Sequence, residues 1–311
     1  MTVYSPSSKG IRRRLGRDFV RHRSLYLMFL PVLAYFIVFS YWPMYGIQIA
    51  FKNYQPGLSF WESEWVGFRH FQRFFSGIYF TRTLRNTLLI SLYDLLFGFP
   101  APILLALFMN ELRSSKYKRA VQTISYLPHF ISMVVLCGMI RSFTAKEGLI
   151  NDIVEWFGGT RATLLMQPGL FRSVYTASGI WQNIGWNTII YLAAISGVDP
   201  ELYDAATVDG ASRFRRLVHI TLPGIGQTVV ILLVLRIGSL MSVGSEKILL
   251  LYSPATMDTA DTISTYVYRK GLQEFSYSFS AAVGLFNSVI NFTLLVFANT
   301  VSRRLNDLSL W

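Results

Sequence analysis

Gln182, Asn183 and Asn187 stand among Trp181, Trp186 and Tyr191 in a stretch, Ser173 to Val198, that carries no Asp, Glu, Lys or Arg. On a helix Gln182 and Trp186 are i,i+4 neighbours, as are Asn183 and Asn187, so each pair shares a face. Carboxamides donate and accept hydrogen bonds, and aromatic rings offer flat apolar faces. The combination suits a hydroxyl-rich ring such as a sugar, whose polar groups cannot be left unpaired in a dry cavity. Asn287 and Asn291 repeat the i,i+4 relation further on. The same amides serve equally well to bond one membrane helix to another, at about 0.6 kcal/mol each, and the spacing leaves both roles open. Arg236 is a lone cation within VVILLVLRIGSLM. A charge at the centre of a membrane helix costs roughly 2.5–3.5 kcal/mol, so it should face a cavity or an acid, with Asp94 and Glu246 at hand. An acidic ligand or a structural ion pair would each satisfy it.

No residue set proposes a chemical engine. There is no G-x-x-x-x-G-K-[ST] loop to cradle nucleotide phosphates and no G-x-S-x-G elbow. His22, His70, His129 and His219 are scattered without metal-ligand spacing. Neither a catalytic residue, a metal site nor a resident cofactor is expected in this chain, and any energy source would belong to a partner. The single cysteine, Cys137, lies in an apolar stretch and reads as a small buried hydrophobe.

The elements that must position these groups are membrane helices. The 311 residues are 52% hydrophobic and 15% charged, where a soluble protein carries about 25% charged residues. Mean hydropathy is +0.38. Leu25 to Phe51 and Phe275 to Ser302 are as bare of charge as Ser173 to Val198, and each exceeds the roughly 20 residues that cross a bilayer. Six spans follow, at about 25–47, 84–109, 119–141, 173–196, 222–244 and 279–301, giving an all-α integral membrane protein. The first run is too long for a signal-peptide core.

The net charge of +12 is mostly topological rather than a nucleic-acid footprint. Lys9, Arg12, Arg13, Arg14, Arg17, Arg21 and Arg23 precede the first span and place the N-terminus inside. The short loops then expected inside carry Arg113, Lys116, Lys118 and Arg119, Arg213, Arg215 and Arg216, and Arg303 and Arg304. Both termini are therefore expected in the cytoplasm. The chain divides into a basic tail (1–24), a six-helix domain (25–302) and a C-terminal tail (303–311). Pro31, Pro100, Pro102 and Pro128 fall inside spans, and VGFRHFQRFFSG after the first span predicts a short amphipathic helix in the outer interface.

Between the fourth and fifth spans lies PELYDAATVDGASRFRRLVHITLP, residues 200–223. It is polar and centred on small residues. It predicts a short helix, a bend at Gly210, where glycine permits a turn, and a second short helix. A folded, charge-bearing element between two spans is placed to dock onto another protein.

At these residues the chain resembles the binding-protein-dependent ABC importer permeases, whose cytoplasmic coupling loop reads EAA, then DGA, then LP. Asp204, Ala205 and Ala206 match the triplet, Asp209, Gly210 and Ala211 the middle, and Leu222 and Pro223 the close, with Arg213 beside them; the triplet opens here with Asp in place of Glu. WPMYGIQIAFKNY, RNTLLISLYDLLFGFPAPILLALFMNEL, QTISYLPHFIS and EKILLLYSPATMDTADTISTYVYRKGL look like the LplB-type carbohydrate permeases. The resemblance implies a type I importer permease in a bacterial inner membrane, paired with a second, related permease. Two ATPase subunits would bind ATP and Mg and grip the loop, and a periplasmic or lipid-anchored binding protein would deliver an oligosaccharide. Two other readings stand beside it. A secondary transporter would need carboxylates within spans, where Asp94 is the lone candidate, and an integral-membrane enzyme on lipid-linked sugar would need clustered acid/base groups.

Overall fold

The computed structural model describes residues 21–57, 59–306 and 310. The basic run from Lys9 to Arg17 lies outside them, as do residues 307–309 and 311 of the expected C-terminal tail. Backbone in hydrocarbon must satisfy its own hydrogen bonds, which a helix does within one segment. Accordingly, among the described residues the regular elements are helices, with one isolated bridge between Lys52 and Trp65. In chain order they are α1 (Arg23–Phe51), α2 (Arg69–Phe75), α3 (Tyr79–Glu111), α4 (Ser115–Phe130), α5 (Met133–Thr144), α6 (Leu149–Trp156) and α7 (Pro168–Ser196). Then follow α8 (Pro200–Val208), α9 (Arg213–Gly224), α10 (Gly226–Gly238), α11 (Ser245–Leu251), α12 (Met257–Ala260), α13 (Ile263–Tyr268) and α14 (Tyr277–Asn306).

α1, α3 and α14 are each long and apolar enough to cross a bilayer. Two further passes are broken: α4 meets the stretch Met133–Trp156, which holds α5 and α6, at 105°, and α9 meets α10 at 58°. α7 has 29 residues and rises about 43 Å, but its amides make it less apolar than the others.

The breaks correct two expected spans. The segment 119–141 is not one helix. Pro128 lacks an N–H, the chain tightens into a 3₁₀ turn over Leu127–Phe130, and Ser132 Oγ then caps α5 by accepting from the Val135 N–H at 3.4 Å. The segment 222–244 breaks at Ile225 and ends early at Gly238. Beyond that end, the Met241 N–H donates to Asn291 Oδ1 at 2.9 Å, so a side chain of α14 replaces the next helical turn.

The inner core lies where α3, α7 and α10 meet, around Ile103, Leu107, Tyr191, Ile195 and Ile225. α7 also crosses α4, and Gly185 is what lets it. A Cβ there would sit 2.2 Å from the Ser125 carbonyl oxygen, a backbone atom that cannot swing away. Gly185→Ala is therefore expected to destabilise by about 1–3 kcal/mol, read as a lower thermal midpoint of the solubilised protein. Gly138→Ala, whose Cβ meets nothing within 4 Å, serves as the control and should leave the midpoint unchanged or raised.

The expected amphipathic helix at 66–77 forms as α2. Its Phe74 is buried against Phe80, Tyr266, Phe279 and Phe286, which fixes α2 onto α14. At the same end an ionic knot joins three elements. The Asp261 carboxylate, fully buried, takes two bonds from Arg269 (2.9 and 2.8 Å), one from Arg82 (3.1 Å) and one from the Thr265 hydroxyl (2.8 Å). Asn86 Nδ2 donates to the carbonyls of Asp258 and Asp261, while Arg172 Nη2 donates to Asn86 Oδ1 at 2.9 Å. The knot thus fastens α3 and α7 to the α12–α13 turn.

Candidate functional site

A cavity of about 790 Å³ opens between α3, α7, α10 and the start of α11. Six of the nine residues that the sequence offers for a polar path line it: Gln182, Asn183, Trp186, Asn187, Tyr191 and Arg236. All but Arg236 stand on α7, whose 3.6-residue turn brings 179, 183, 186, 187 and 190 onto neighbouring rows. The side-chain amides of Gln182 and Asn187 make no hydrogen bond to any described residue, so they are available to a ligand. Trp181, Asn287 and Asn291 lie outside the lining. Asn291 is bonded through both ends of its amide, accepting from the Met241 N–H and donating to Ser242 Oγ at 2.8 Å. It is the helix-to-helix glue that its spacing also allowed. Asn287 is partly buried with no partner on its Oδ1, and Trp181 is 41% exposed.

Arg236 does not lie in the middle of a helix. α10 stops two residues later, so the guanidinium sits in the last turn of a helix, where the backbone dipole favours a cation. Of the two acids the sequence offered, it pairs with Asp94. Asp94 opens a π turn, Asp94–Gly98, ahead of Pro100. Pro100 removes a helical N–H, and the wider turn absorbs the defect. The ion pair spans the cavity from α3 to α10.

Lys247 escaped the sequence reading because it follows the fifth apolar run and looks like part of an outer loop. The structure buries it at 6% exposure on the cavity wall. Its Nζ donates to the Tyr175 carbonyl at 2.9 Å and lies 4.7 Å from the centre of the Tyr175 ring. It has no carboxylate partner among the described residues; Glu246 beside it lines the cavity but does not reach Nζ. His129 also escaped: it lies on the α4–α5 bend and touches Asn183 and Trp186. Neither contact has a local signal, since the partners are 72, 54 and 57 residues away along the chain.

The segment 200–223 folds as an elbow. Asp199 caps α8, its Oδ1 accepting from the Glu201 N–H at 2.9 Å. The expected bend falls at Gly210, with φ +72°. The Gly210 N–H bonds the Thr207 carbonyl at 3.1 Å and the Ala211 N–H bonds the Ala206 carbonyl at 2.9 Å, the paired bonds of a Schellman cap. Ser212 then starts α9, and Arg216 Nη1 donates to Thr207 Oγ1 at 2.7 Å, bracing the two arms. Asp204, Ala205, Asp209, Gly210, Arg213, Leu222 and Pro223 are exposed; Ala206 and Ala211 are half-buried. Val208 at 88% and Phe214 at 76% are exposed on either side of the bend. At the base, Tyr203 Oη and Thr221 Oγ1 lie 3.0 Å apart and tie α8 to α9. Apolar side chains displayed on a braced, polar elbow suit protein docking rather than lipid.

Residues 98–307 match the family model of binding-protein-dependent transport system inner membrane components. The chain is 45% identical over 288 residues to protein LplB of Bacillus subtilis (strain 168), covering 92% of this chain and 91% of that protein. It is 43% identical over 297 residues to the polygalacturonan/rhamnogalacturonan transport system permease protein YteP of the same strain, covering 95% and 92%. Among solved structures it superposes, with a TM-score of 0.87 and 46% identity, on a chain of a bacterial ABC transporter involved in the import of the acidic polysaccharide alginate, covering 94% of this chain and 99% of that one.

Proposed function

We infer what this protein carries, and how it is driven, from the premise that the chain belongs to the family of binding-protein-dependent transport system inner membrane components. It is an ABC importer permease for carbohydrate, with the six-helix type I permease fold, and a component of the inner membrane. As a member of a transport family it works by carrying rather than by chemistry.

The finer reading is that the carbohydrate is an anionic oligosaccharide. The observation that carries it is Lys247, a buried cation on the cavity wall with no carboxylate partner among the described residues. Desolvating an ammonium without a counter-charge is costly, and a sugar carboxylate entering the cavity would offset that cost. Arg236, by contrast, is already matched to Asp94. The free amides of Gln182 and Asn187 would take the hydroxyls and the Trp186 face a pyranose ring. One similar protein is named for polygalacturonan/rhamnogalacturonan transport and a similar structure imports acidic alginate, which supports the same class.

In this reading the elbow at 200–223 is the cytoplasmic handle. Two partner ATPase subunits, holding ATP and Mg, would grip Val208, Phe214 and the small-residue surface at Ala205, while a second, related permease completes the pore. An extracytoplasmic binding protein delivers the sugar, and both termini are cytoplasmic. A partner shifts the inward- and outward-open states only by binding them unequally, so the ATP-bound subunits and the closed binding protein should both favour the outward state.

The test is uptake by the complete complex in proteoliposomes. Uronic oligosaccharides should enter with ATP, and Lys247→Met should lower that uptake by about tenfold or more, the scale of one charge-assisted hydrogen bond, with neutral oligosaccharides unaffected. Equal uptake of neutral and uronic sugars by both proteins would remove the anionic assignment.

A further inference from the structure

The bend between α4 and α5 sets one side chain against two cavity residues at once. His129 occupies the Leu127–Phe130 turn. Its Nδ1 lies 3.1 Å from Asn183 Oδ1. Its ring lies flat on the Trp186 indole, with 4.6 Å between centroids and 3° between planes. Asn183 Nδ2 is already committed, donating to the Gly179 carbonyl at 3.1 Å, so the atom facing His129 is an acceptor. The imidazole must therefore donate from Nδ1, and in the neutral ring Nε2 is left as an acceptor. Phe130 stands edge-on to both rings, at 5.6 Å from His129 and 5.7 Å from Trp186.

These contacts remove freedom where a ligand would need it removed. Trp186 is 45% exposed and borders the cavity; unsupported, such an indole would sample several rotamers. The stack fixes its plane and covers one face. The hydrogen bond fixes the amide of Asn183, one turn earlier on α7. Both constraints come from a single imidazole, so the two groups cannot be reoriented separately. That imidazole also rides on the turn at which α4 gives way to α5 and the chain changes direction.

We propose that His129 is a positioning residue for the sugar path: it holds the Trp186 indole and the Asn183 amide as one preoriented platform for stacking and hydrogen bonding, and joins that platform to the α4–α5 bend. The inference rests on the oligosaccharide reading above. Preorganised contacts spend less free energy on ordering when the ligand arrives, so the platform acts on how much sugar is carried per cycle, not on whether the complex assembles.

Two substitutions divide the contacts. His129→Phe keeps a ring for the stack and loses the donor, whereas His129→Asn keeps an amide donor near the place of Nδ1 and loses the stack. In the complete reconstituted complex each is expected to lower sugar uptake about fivefold, the scale of one hydrogen bond or one aromatic pair. Complex yield and binding-protein-stimulated ATP hydrolysis should be retained, so sugar carried per ATP falls. Asn183→Ala should cost less when added to His129→Phe than it costs in the wild type, because the two changes share one bond. Unchanged sugar per ATP in both single variants would overturn the proposal. So would a parallel fall in uptake, hydrolysis and yield, which is the mark of a scaffold residue. A wild-type complex that hydrolyses ATP yet carries no oligosaccharide would overturn the reading beneath it, and the proposal with it.

Discussion

Gly210→Pro is expected to reduce ATP-driven sugar uptake to background while the chain still inserts. Gly210 has φ +72°, whereas proline is locked near −65° and has no N–H. The substitution would break the bond to the Thr207 carbonyl and force the elbow open. Space is not the obstacle, since a Cβ at Gly210 meets nothing within 4 Å. Gly210→Ala should therefore be milder, costing only the left-handed penalty of about 1–2 kcal/mol. Ala205→Glu with Ala206→Glu attacks the same surface by charge and bulk and should also abolish uptake. The measurement is uptake in proteoliposomes together with co-purification of the ATPase subunits. Wild-type ATPase capture by Gly210→Pro and by the double glutamate variant would show that the elbow is not the handle.

Asp261→Ala is the second large effect, and it acts on assembly rather than drive. Removing the carboxylate leaves Arg82 and Arg269 without their buried counter-charge, and breaking a buried pair in this way costs about 3–5 kcal/mol. That is a large share of the 5–15 kcal/mol by which a protein is stable. The expected result is a steep loss of folded protein in membranes and of thermal midpoint. Asp261→Asn, which keeps one acceptor oxygen for the Thr265 hydroxyl or Arg269, should fall between. Glu147→Ala makes the contrast: Glu147 is 81% exposed at 3.5 Å from Arg161, and a surface pair of that kind is worth 0–1 kcal/mol at about the limit of detection. Equal midpoints for Asp261→Ala and Glu147→Ala would mean that the knot is not structural.

Much of the molecule could be read from its letters because its strongest signals are local. Charge-free runs of membrane length place α1, α7 and α14, and helical spacing puts Gln182, Asn183, Trp186 and Asn187 on one wall. Gly210 flanked by short polar helices announces the elbow. What the sequence hides is decided by distant contacts. The end of α10 at Gly238 depends on the bond from Met241 to Asn291, which lies 50 residues beyond Met241. Lys247 reads as loop from its neighbours, and only Tyr175 explains how a lysine comes to be buried. Arg236 looks like the middle of a helix until α10 is seen to stop beside it. His129 gives no sign at all, being one of four scattered histidines whose partners lie on another helix.

The early end of α10 also bears on the surrounding lipid. Thirteen residues rise about 20 Å, against a hydrocarbon slab of about 30 Å. Such a segment cannot serve as a pillar against acyl chains; its shortfall must be met by neighbouring protein or by water. Bilayer thickness is therefore matched by the unbroken apolar helices α1, α3 and α14, and a change in acyl-chain length bears on these before it bears on α10.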